Sequence, residues 1–465
     1  MIKLFGHFVP RSFFVLGLVE FCILLGAVYV GVWIRFQQFP AAWDDVASLW
    51  PQAVVFALGF QLTMVGMGLY QRNLREGLGG MALRITLSGI VAVAVLSLLF
   101  FVFPDLLLGR GVFGAAFVAG LVGVVITRLV FFHVIDQETL KRRVLVLGAG
   151  RRAAHISERL RRRSDWRDCR LVGYVHIPGE HDEVAPELVI RRDTTLVELA
   201  QALKVDEIVV AVQDRRKGFP LHEILDCRMA GIDVVDILTF FERQTGRVML
   251  DLMQPSWLIF SDGFRYGALR VVTKRAFDVG ISLLLLAVVW PLMLLAAAAI
   301  LIESKGKGPV FYGQVRVGEN WRLFQVLKFR SMQVDAEADG KARFASKRDP
   351  RITRVGGFMR RTRIDELPQL FNVLKGDMSF VGPRPERPVF VEKLAAGIPF
   401  YAERHRVKPG ITGWAQICFP YADSEEGTAQ KLQYDLYYVK NYSLFLDLLI
   451  LLHTAEVVLW GRGAR

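Results

Sequence analysis

Two adjacent carboxylates, Asp365 and Glu366, follow three arginines in the stretch Arg360-Arg361-Thr362-Arg363-Ile364-Asp365-Glu366-Leu367-Pro368-Gln369. A second dense patch, Lys375-Gly376-Asp377-Met378-Ser379-Phe380-Val381-Gly382-Pro383-Arg384-Pro385-Glu386, comes shortly after. Proline is accepted in the first turn of a helix and disrupts later ones, so Pro368 predicts that Asp365 lies at or just before a helix N-terminus. Backbone N–H groups and the positive dipole end would there favour an ionised carboxylate. An ionised aspartate among arginines is equipped to attack phosphorus or to ligate a hard cation. The same residues also fit a capping aspartate with surface ion pairs, because perturbed carboxylates are often structural. Further cationic stretches crowd this part of the chain: Lys328-Phe329-Arg330-Ser331-Met332, Asp349-Pro350-Arg351-Ile352-Thr353-Arg354 and Arg404-His405-Arg406-Val407-Lys408-Pro409-Gly410. Arginine binds phosphate bidentately, and a cation held by carboxylates neutralises charge that develops in phosphoryl transfer. Diphosphate handling is the chemistry these residues favour. Nucleic-acid binding is not expected, because the cations sit among Pro, Gly and acidic residues and form neither a basic helix nor an aromatic platform.

The elements that must position these groups begin in membrane. Of 465 residues, 53% are hydrophobic and 22% charged, and the mean hydropathy is +0.34. That mixture fits membrane segments joined to soluble domains, with a length suited to about three domains. The net charge of +13 favours anionic partners such as a membrane surface or phosphorylated substrates. Four scattered cysteines, with no CxxC pair, argue against zinc or a disulfide framework and for a reducing cytosolic setting. Residues 12–34, 53–70, 85–103 and 112–127 read as four spanning helices, the first too long for a signal-peptide core. Lys3, Arg11, Arg72, Arg75 and Arg84 flank one side; Asp44, Asp45, Asp105 and Arg110 flank the other. The positive-inside rule then puts the N-terminus and everything after the fourth helix in the cytoplasm. Glu20, inside the first span with no cation near it in sequence, reads as a functional candidate or as a protonated glutamate hydrogen-bonded in the bundle. Arg128 reads as a residue snorkelling to the interface.

From residue 141 the pattern changes. Short apolar strands at 143–147, 171–175, 207–212 and 232–237 alternate with helical stretches near 194–204 and 219–230, a βαβ series with a parallel, Rossmann-like sheet. Gly148-Ala149-Gly150-Arg151-Arg152-Ala153 has the strand–turn–helix context of a phosphate-binding turn. The second strand ends Tyr174-Val175-His176, without an acidic residue for a ribose, so a regulatory or oligomerising module fits better than a redox one. Residues 246–269, with Pro255, Trp257, Phe260, Phe264 and Tyr266, read as an ordered linker. Residues 279–302 are apolar and long enough to span, but Pro291 sits in the middle and basic residues flank both ends. A broken, re-entrant helix that enters and leaves by one leaflet satisfies both observations. A helix starting near Ser443, interrupted by Asp447, His453 and Glu456, reads as buried or lying at the membrane surface.

Residues 270–465 resemble the bacterial sugar transferase family, the polyprenyl-phosphate sugar-1-phosphate transferases or monotopic phosphoglycosyl transferases. The resemblance rests on Lys274-Arg275 with Asp278, the helix around Pro291, Gly308-Pro309-Val310-Phe311-Tyr312 with Gln314 and Arg316, and Lys328-Phe329-Arg330-Ser331-Met332. It continues through Asp365-Glu366-Leu367-Pro368-Gln369, Val381-Gly382-Pro383-Arg384-Pro385 and Lys408-Pro409-Gly410-Ile411-Thr412-Gly413-Trp414-Ala415-Gln416. With the N-terminal helices, the chain looks like the large form that initiates exopolysaccharide, capsule or O-antigen synthesis. The implied fold is a membrane α-helical bundle (1–138), an α/β Rossmann-like parallel-sheet domain (139–245), the linker, and an α-rich (α+β) monotopic catalytic domain (270–465) with the re-entrant helix 279–302. The resemblance implies that Asp365 attacks the β-phosphorus of a UDP-sugar, releasing UMP, and that undecaprenyl phosphate then takes the phosphosugar from the carboxylate. It implies Mg²⁺ at Asp365 and Glu366, phosphate contact by Arg360, a nucleotide contact by Arg384 between Pro383 and Pro385, and diphosphate contacts by Lys328 and Arg330. It further implies a multi-pass protein of the bacterial inner membrane, a cytoplasmic catalytic domain in contact with membrane lipid, and a homodimer formed through the N-terminal half. Trp290 departs from the family, many members of which place Ser before the proline. A transporter built on the N-terminal helices is the rival class, weakened by the scarcity of polar residues in the spans.

Overall fold

The computed structural model describes residues 2–4, 7–9, 11–36, 43–70, 78–135, 141–160, 166, 169–213, 219–261, 263–264, 267–334, 349–419 and 424–459. Arg72, Arg75, Tyr266 and Trp460 lie outside them. Phe8–Gln254 and Pro255–Arg465 belong to two compact units.

In the first unit, α1 (Arg11–Phe36), α2 (Trp43–Gly66), α3 (Leu78–Val102) and α4 (Arg110–Ile135) each contain a stretch long and apolar enough to cross a bilayer. Leu24, Val28, Phe56, Phe60, Leu96 and Ala116 fill the bundle interior, while Leu98, Phe101 and Leu129 face outward. Helices in lipid gain contact by close backbone approach at small residues. Gly31 supplies it between α1 and α4, where an added Cβ would lie 2.7 Å from the Val112 carbonyl oxygen.

Two side chains, Arg128 and Arg84, correct the expectations for this bundle, and Glu20 gains a partner distant in sequence. Glu20 does have a cationic partner: Arg128 Nε lies 2.7 Å from its Oε1, with both side chains fully buried. The Tyr70 hydroxyl also donates to Glu20, and Arg128 Nη1 donates to the Leu69 carbonyl at 2.9 Å. Arg128 is therefore a buried counter-ion rather than a snorkelling residue; the pair joins α1 to α4 across 108 positions. Arg84, expected in a basic loop, lies in α3 because that helix begins at Leu78. It is 2% exposed and donates to the Met67 carbonyl.

The same unit holds a parallel five-stranded sheet. Its strands are β1 (Arg142–Leu147), β2 (Cys169–Val175), β3 (Val189–Ile190), β4 (Glu207–Val210) and β5 (Asp233–Asp236), in the order β3-β2-β1-β4-β5. β1 is central and Val144 to Leu147 are fully buried, which is why its sequence is a continuous apolar run rather than an alternating one. The crossovers carry α5 (Arg151–Arg159), α6 (Leu196–Ala202) and α7 (Leu221–Met229), and α8 (Ile237–Thr245) follows β5.

The second unit starts with α9 (Pro255–Phe260), where the Lys440 ammonium sits 4.0 Å over the Trp257 ring. Next is α10 (Ala268–Glu303), a helix of 36 residues with Pro291 inside it. Helical backbone continues on both sides of Pro291, so the proline does not end the helix. Proline removes one hydrogen bond, and the remaining ladder carries the helix through. An antiparallel hairpin follows, β6 (Phe311–Val317) with β7 (Leu323–Phe329). Then come α11 (Arg354–Thr362), α12 (Gln369–Lys375), β8 (Ser379–Val381), α13 (Pro388–Gly397), β9 (Gly410–Thr412), α14 (Trp414–Cys418), α15 (Glu425–Asn441) and α16 (Leu444–Leu459). α16 buries Leu446, Asp447, Ile450 and His453, which resolves its reading in favour of a core helix. A buried polar cluster ties α10 to the strand before Pro383. Lys274 pairs with Asp447 at 2.7 Å, and Tyr438 donates to Asp447 and to the Val381 carbonyl. Asp278 accepts from the Ser379 hydroxyl and the Phe380 N–H, each at 3.1 Å.

Candidate active site

Asp365 is placed by the end of α11. Thr353 caps that helix, accepting the Gly356 N–H at 2.9 Å, and the Glu303 carboxylate at the end of α10 accepts the N–H groups of Arg354 and Val355. Arg363 stops the helix in the left-handed region at φ +59°, and a 3₁₀ turn, Ile364–Glu366, follows. That turn drives Asp365 inward to 7% exposure. The expected capping role is corrected here: Pro368 itself occupies the position before α12, so Asp365 sits one turn upstream and caps nothing. Proline did mark the helix start, but the intervening turn moved the carboxylate away from it. Asp365 Oδ1 is buried with no hydrogen-bond partner. Burial and the neighbouring Glu366 charge push its pKa above the usual aspartate range, against Lys328, Arg360 and Arg363.

Glu366 is in the opposite state. Its Oε1 accepts from Arg384 Nη2 at 2.9 Å and Lys328 Nζ at 3.1 Å, with Arg363 Nη1 at 3.7 Å. Burial works to raise its pKa, but Arg384, Lys328 and Arg363 outweigh it and hold the carboxyl well below the usual range. In return, Glu366 raises the pKa of Arg384. Lys328 is lowered by burial despite Glu366.

Arg363 opens the turn itself, and the two nearer cations come from elsewhere in the chain. Lys328 comes from β7. Arg384 comes from the loop after β8, which pairs in parallel with β9 through Ser379↔Gly410 and Val381↔Thr412. The two backbones nearly touch: a Cβ on Gly410 would lie 2.0 Å from the Gly382 nitrogen, so both Val-Gly-Pro-Arg-Pro and Lys-Pro-Gly need their glycines. Pro383 and Pro385 are buried beside Arg384. Arg316 Nη1 donates to the Pro385 carbonyl at 3.1 Å. Arg360 does not touch Glu366; its Nε donates to Ser331 Oγ at 2.9 Å. Arg330 is turned elsewhere, with Nη1 on the Lys307 carbonyl at 2.9 Å.

Several contributors stand in stretches that the sequence singled out without a role for them. Gln416 Oε1 accepts from Arg384 Nη1 at 3.3 Å. Arg404, 3% exposed, pairs with Asp435 at 2.9 Å and donates from Nη2 to the Arg384 carbonyl at 2.9 Å. His405 is buried against the Trp321 ring, and burial, with the Arg404 charge, pulls its pKa down to about 3. Ser331 and Gln416 stand in motifs already singled out, whereas the Arg404–Asp435 pair spans 31 positions and carried no local signal.

Asp365 and Glu366 are joined by no cluster of three or more His, Cys, Asp or Glu among the described residues. Mg²⁺ commonly uses one or two carboxylates and completes its shell with water and substrate phosphate. The unpartnered Asp365 Oδ1 fits such an ion.

The sequence profile of the bacterial sugar transferases matches residues 269–461, and that of a CoA-binding domain matches residues 66–219. A UDP-glucose:undecaprenyl-phosphate glucose-1-phosphate transferase of Xanthomonas campestris pv. campestris is 34% identical over 377 residues, which are 76% of this chain and 75% of that protein. The chain belongs to the bacterial sugar transferase family. A UDP-N-acetylgalactosamine-undecaprenyl-phosphate N-acetylgalactosaminephosphotransferase of Aeromonas hydrophila is 42% identical over 265 residues, 57% of this chain and 61% of that one. An undecaprenyl-phosphate glucose phosphotransferase of Komagataeibacter xylinus is 35% identical over 333 residues, 70% of this chain and 60% of that one. This bacterial sugar transferase thus spans less than two thirds of the length of the latter two relatives. Its family match begins within α10 and takes in every cation that surrounds Glu366.

Proposed function

We propose that this protein transfers a sugar 1-phosphate from a UDP-sugar to undecaprenyl phosphate, through a phosphosugar held covalently on Asp365. The observation that carries the reading is the buried, unpartnered Asp365 Oδ1 beside a glutamate clamped by Arg384, Lys328 and Arg363. The free carboxylate oxygen attacks the β-phosphorus; the bond between that phosphorus and the bridging oxygen breaks, and UMP leaves with the oxygen. A phosphate oxygen of the lipid then attacks the aspartyl phosphosugar, and Asp365 departs as a carboxylate. Through both steps Arg384, Lys328 and Arg360 supply positive charge where phosphate oxygens gather. Glu366, held ionised, fixes Arg384 and Lys328 in place. When bound, Mg²⁺ held by Asp365 and Glu366 would neutralise diphosphate charge. The named substrates of the relatives, glucose and N-acetylgalactosamine donors with undecaprenyl phosphate, support this class of donor and acceptor.

The same proposal places the second unit on one leaflet, facing the cytoplasm of a bacterial inner membrane. Both ends of α10 are held by that one unit: Lys274 and Asp278 near the start, and Met293, Ala296, Ile300 and Glu303 near the end. Between them run roughly 14 residues, or ~21 Å of helix, short of the ~20 residues a full crossing needs. Leu283, Leu284, Val288 and Trp290 there are exposed and apolar, as suits a segment dipping into lipid. A homodimer and a role in initiating polysaccharide assembly belong to the same reading. The test is UMP release by the purified protein with Mg²⁺, undecaprenyl phosphate and a panel of UDP-sugars. One sugar should release UMP, and Asp365→Asn should abolish that release; normal turnover by the variant would remove the nucleophile assignment.

A further inference from the structure

The CoA-binding profile over residues 66–219 implies that the Gly148–Gly150 turn, at the start of α5, cradles a nucleotide phosphate. The residues present do not fit one. The cradle is filled by a carboxylate of the same chain, Glu180, from the segment that follows β2. A Cβ on Gly150 would lie 2.9 Å from Glu180 Cγ and Cδ, and one on Gly148 would lie 3.2 Å from its Oε2. Both glycines thus leave room, and Glu180 takes it. Its Oε1 accepts the Gln213 N–H at 3.0 Å, and its Oε2 is buried with no hydrogen-bond partner. The segment is fastened over the turn. Gly179 bends at φ +89°, the Glu180 N–H donates to the Ile177 carbonyl, and the Glu183 N–H donates to the Ala149 carbonyl at 2.8 Å. His176 Nδ1 lies 2.8 Å from Asp182 Oδ1 and holds the segment at its base.

We propose that Glu180 is a built-in anion that occupies the phosphate cradle, so that the native chain binds neither CoA nor any other nucleotide at Gly148–Gly150. The carboxylate lies against both glycines of the turn, and an incoming phosphate would face both its volume and its charge. The glycine-rich turn then keeps its shape while its ligand is internal, and taking the carboxylate away uncovers a latent phosphate site.

The experiment is calorimetric titration of the full-length protein in detergent with CoA and with NAD⁺, with excess UMP throughout to occupy phosphate-binding residues elsewhere. Wild type should give no saturable heat, and Glu180→Ala should bind at least one of the two nucleotides saturably. Glu180→Ser serves as a second opened variant, and an unchanged circular dichroism spectrum and thermal midpoint report that each variant is folded. Saturable CoA or NAD⁺ binding by wild type would overturn the proposal. Silence from both folded variants would overturn it as well, since something other than the carboxylate would then exclude phosphate.

Discussion

Burial and the Glu366 charge raise Asp365, while three cations overcome burial at Glu366 and lower it. Environments that drive two titratable groups apart assign them different work, and the apparent values belong to the pair. A raised acid is ionised only above its shifted pKa, so nucleophilic attack by Asp365 is lost as pH falls through that value. The acid limb of kcat/KM should therefore lie above the ordinary aspartate value of about 3.9. Glu366→Gln removes a charge that raises Asp365 and releases Arg384, Lys328 and Arg363 to act on it. The limb should then move to lower pH even as the rate falls, which a pH–rate profile of both proteins checks. A limb that stays in place would mean that Glu366 does not set the ionisation of Asp365. The adjacency of the two carboxylates was plain in the sequence, but their opposite states were not, because they depend on burial and on Lys328 and Arg384, which come from two distant segments.

The loop between β8 and α13 owes its shape to contacts made far away in the chain. Arg404 grips the Arg384 carbonyl while paired with buried Asp435, so it sets the backbone from which Arg384 reaches Glu366. Arg404→Ala would leave Asp435 buried and unpaired, at a cost of about 3–5 kcal/mol, and would free that backbone. The expected result is a lower thermal midpoint together with a higher KM for the UDP-sugar, with Arg404→Lys intermediate because it keeps the charge and loses the planar fork. Strands were legible where burial on both faces leaves a continuous apolar run, as in Val144 to Leu147. Helix ends were legible only in part: Pro368 marked α12 but hid the 3₁₀ turn before it, and Pro291 has helical backbone on both sides. Register along β7 was no guide to Arg330, which lies just past the strand and follows the Lys307 carbonyl instead.

Within the whole chain, the order of elements, apolar helices and then a parallel sheet, followed from hydropathy and the βαβ rhythm, since both are local patterns. The Glu20–Arg128 pair was not legible, because its partners are brought together only when α1 and α4 pack. Membrane geometry rests on both ends of α10 being fastened to one unit. A cysteine placed at Lys307, past the end of that helix, should therefore label with an impermeant thiol reagent only from the cytoplasmic side; labelling from outside would make α10 a full span. The claim on which the account turns is the covalent step at Asp365. Incubating the protein with Mg²⁺ and its UDP-sugar but no lipid acceptor, quenching, and mapping peptides by mass spectrometry tests it directly. The account predicts a phosphosugar mass increment on the peptide carrying Asp365, formed with UMP and removed by adding undecaprenyl phosphate. Rapid UMP release only when the lipid is present, with an unmodified Asp365 peptide throughout, would contradict it.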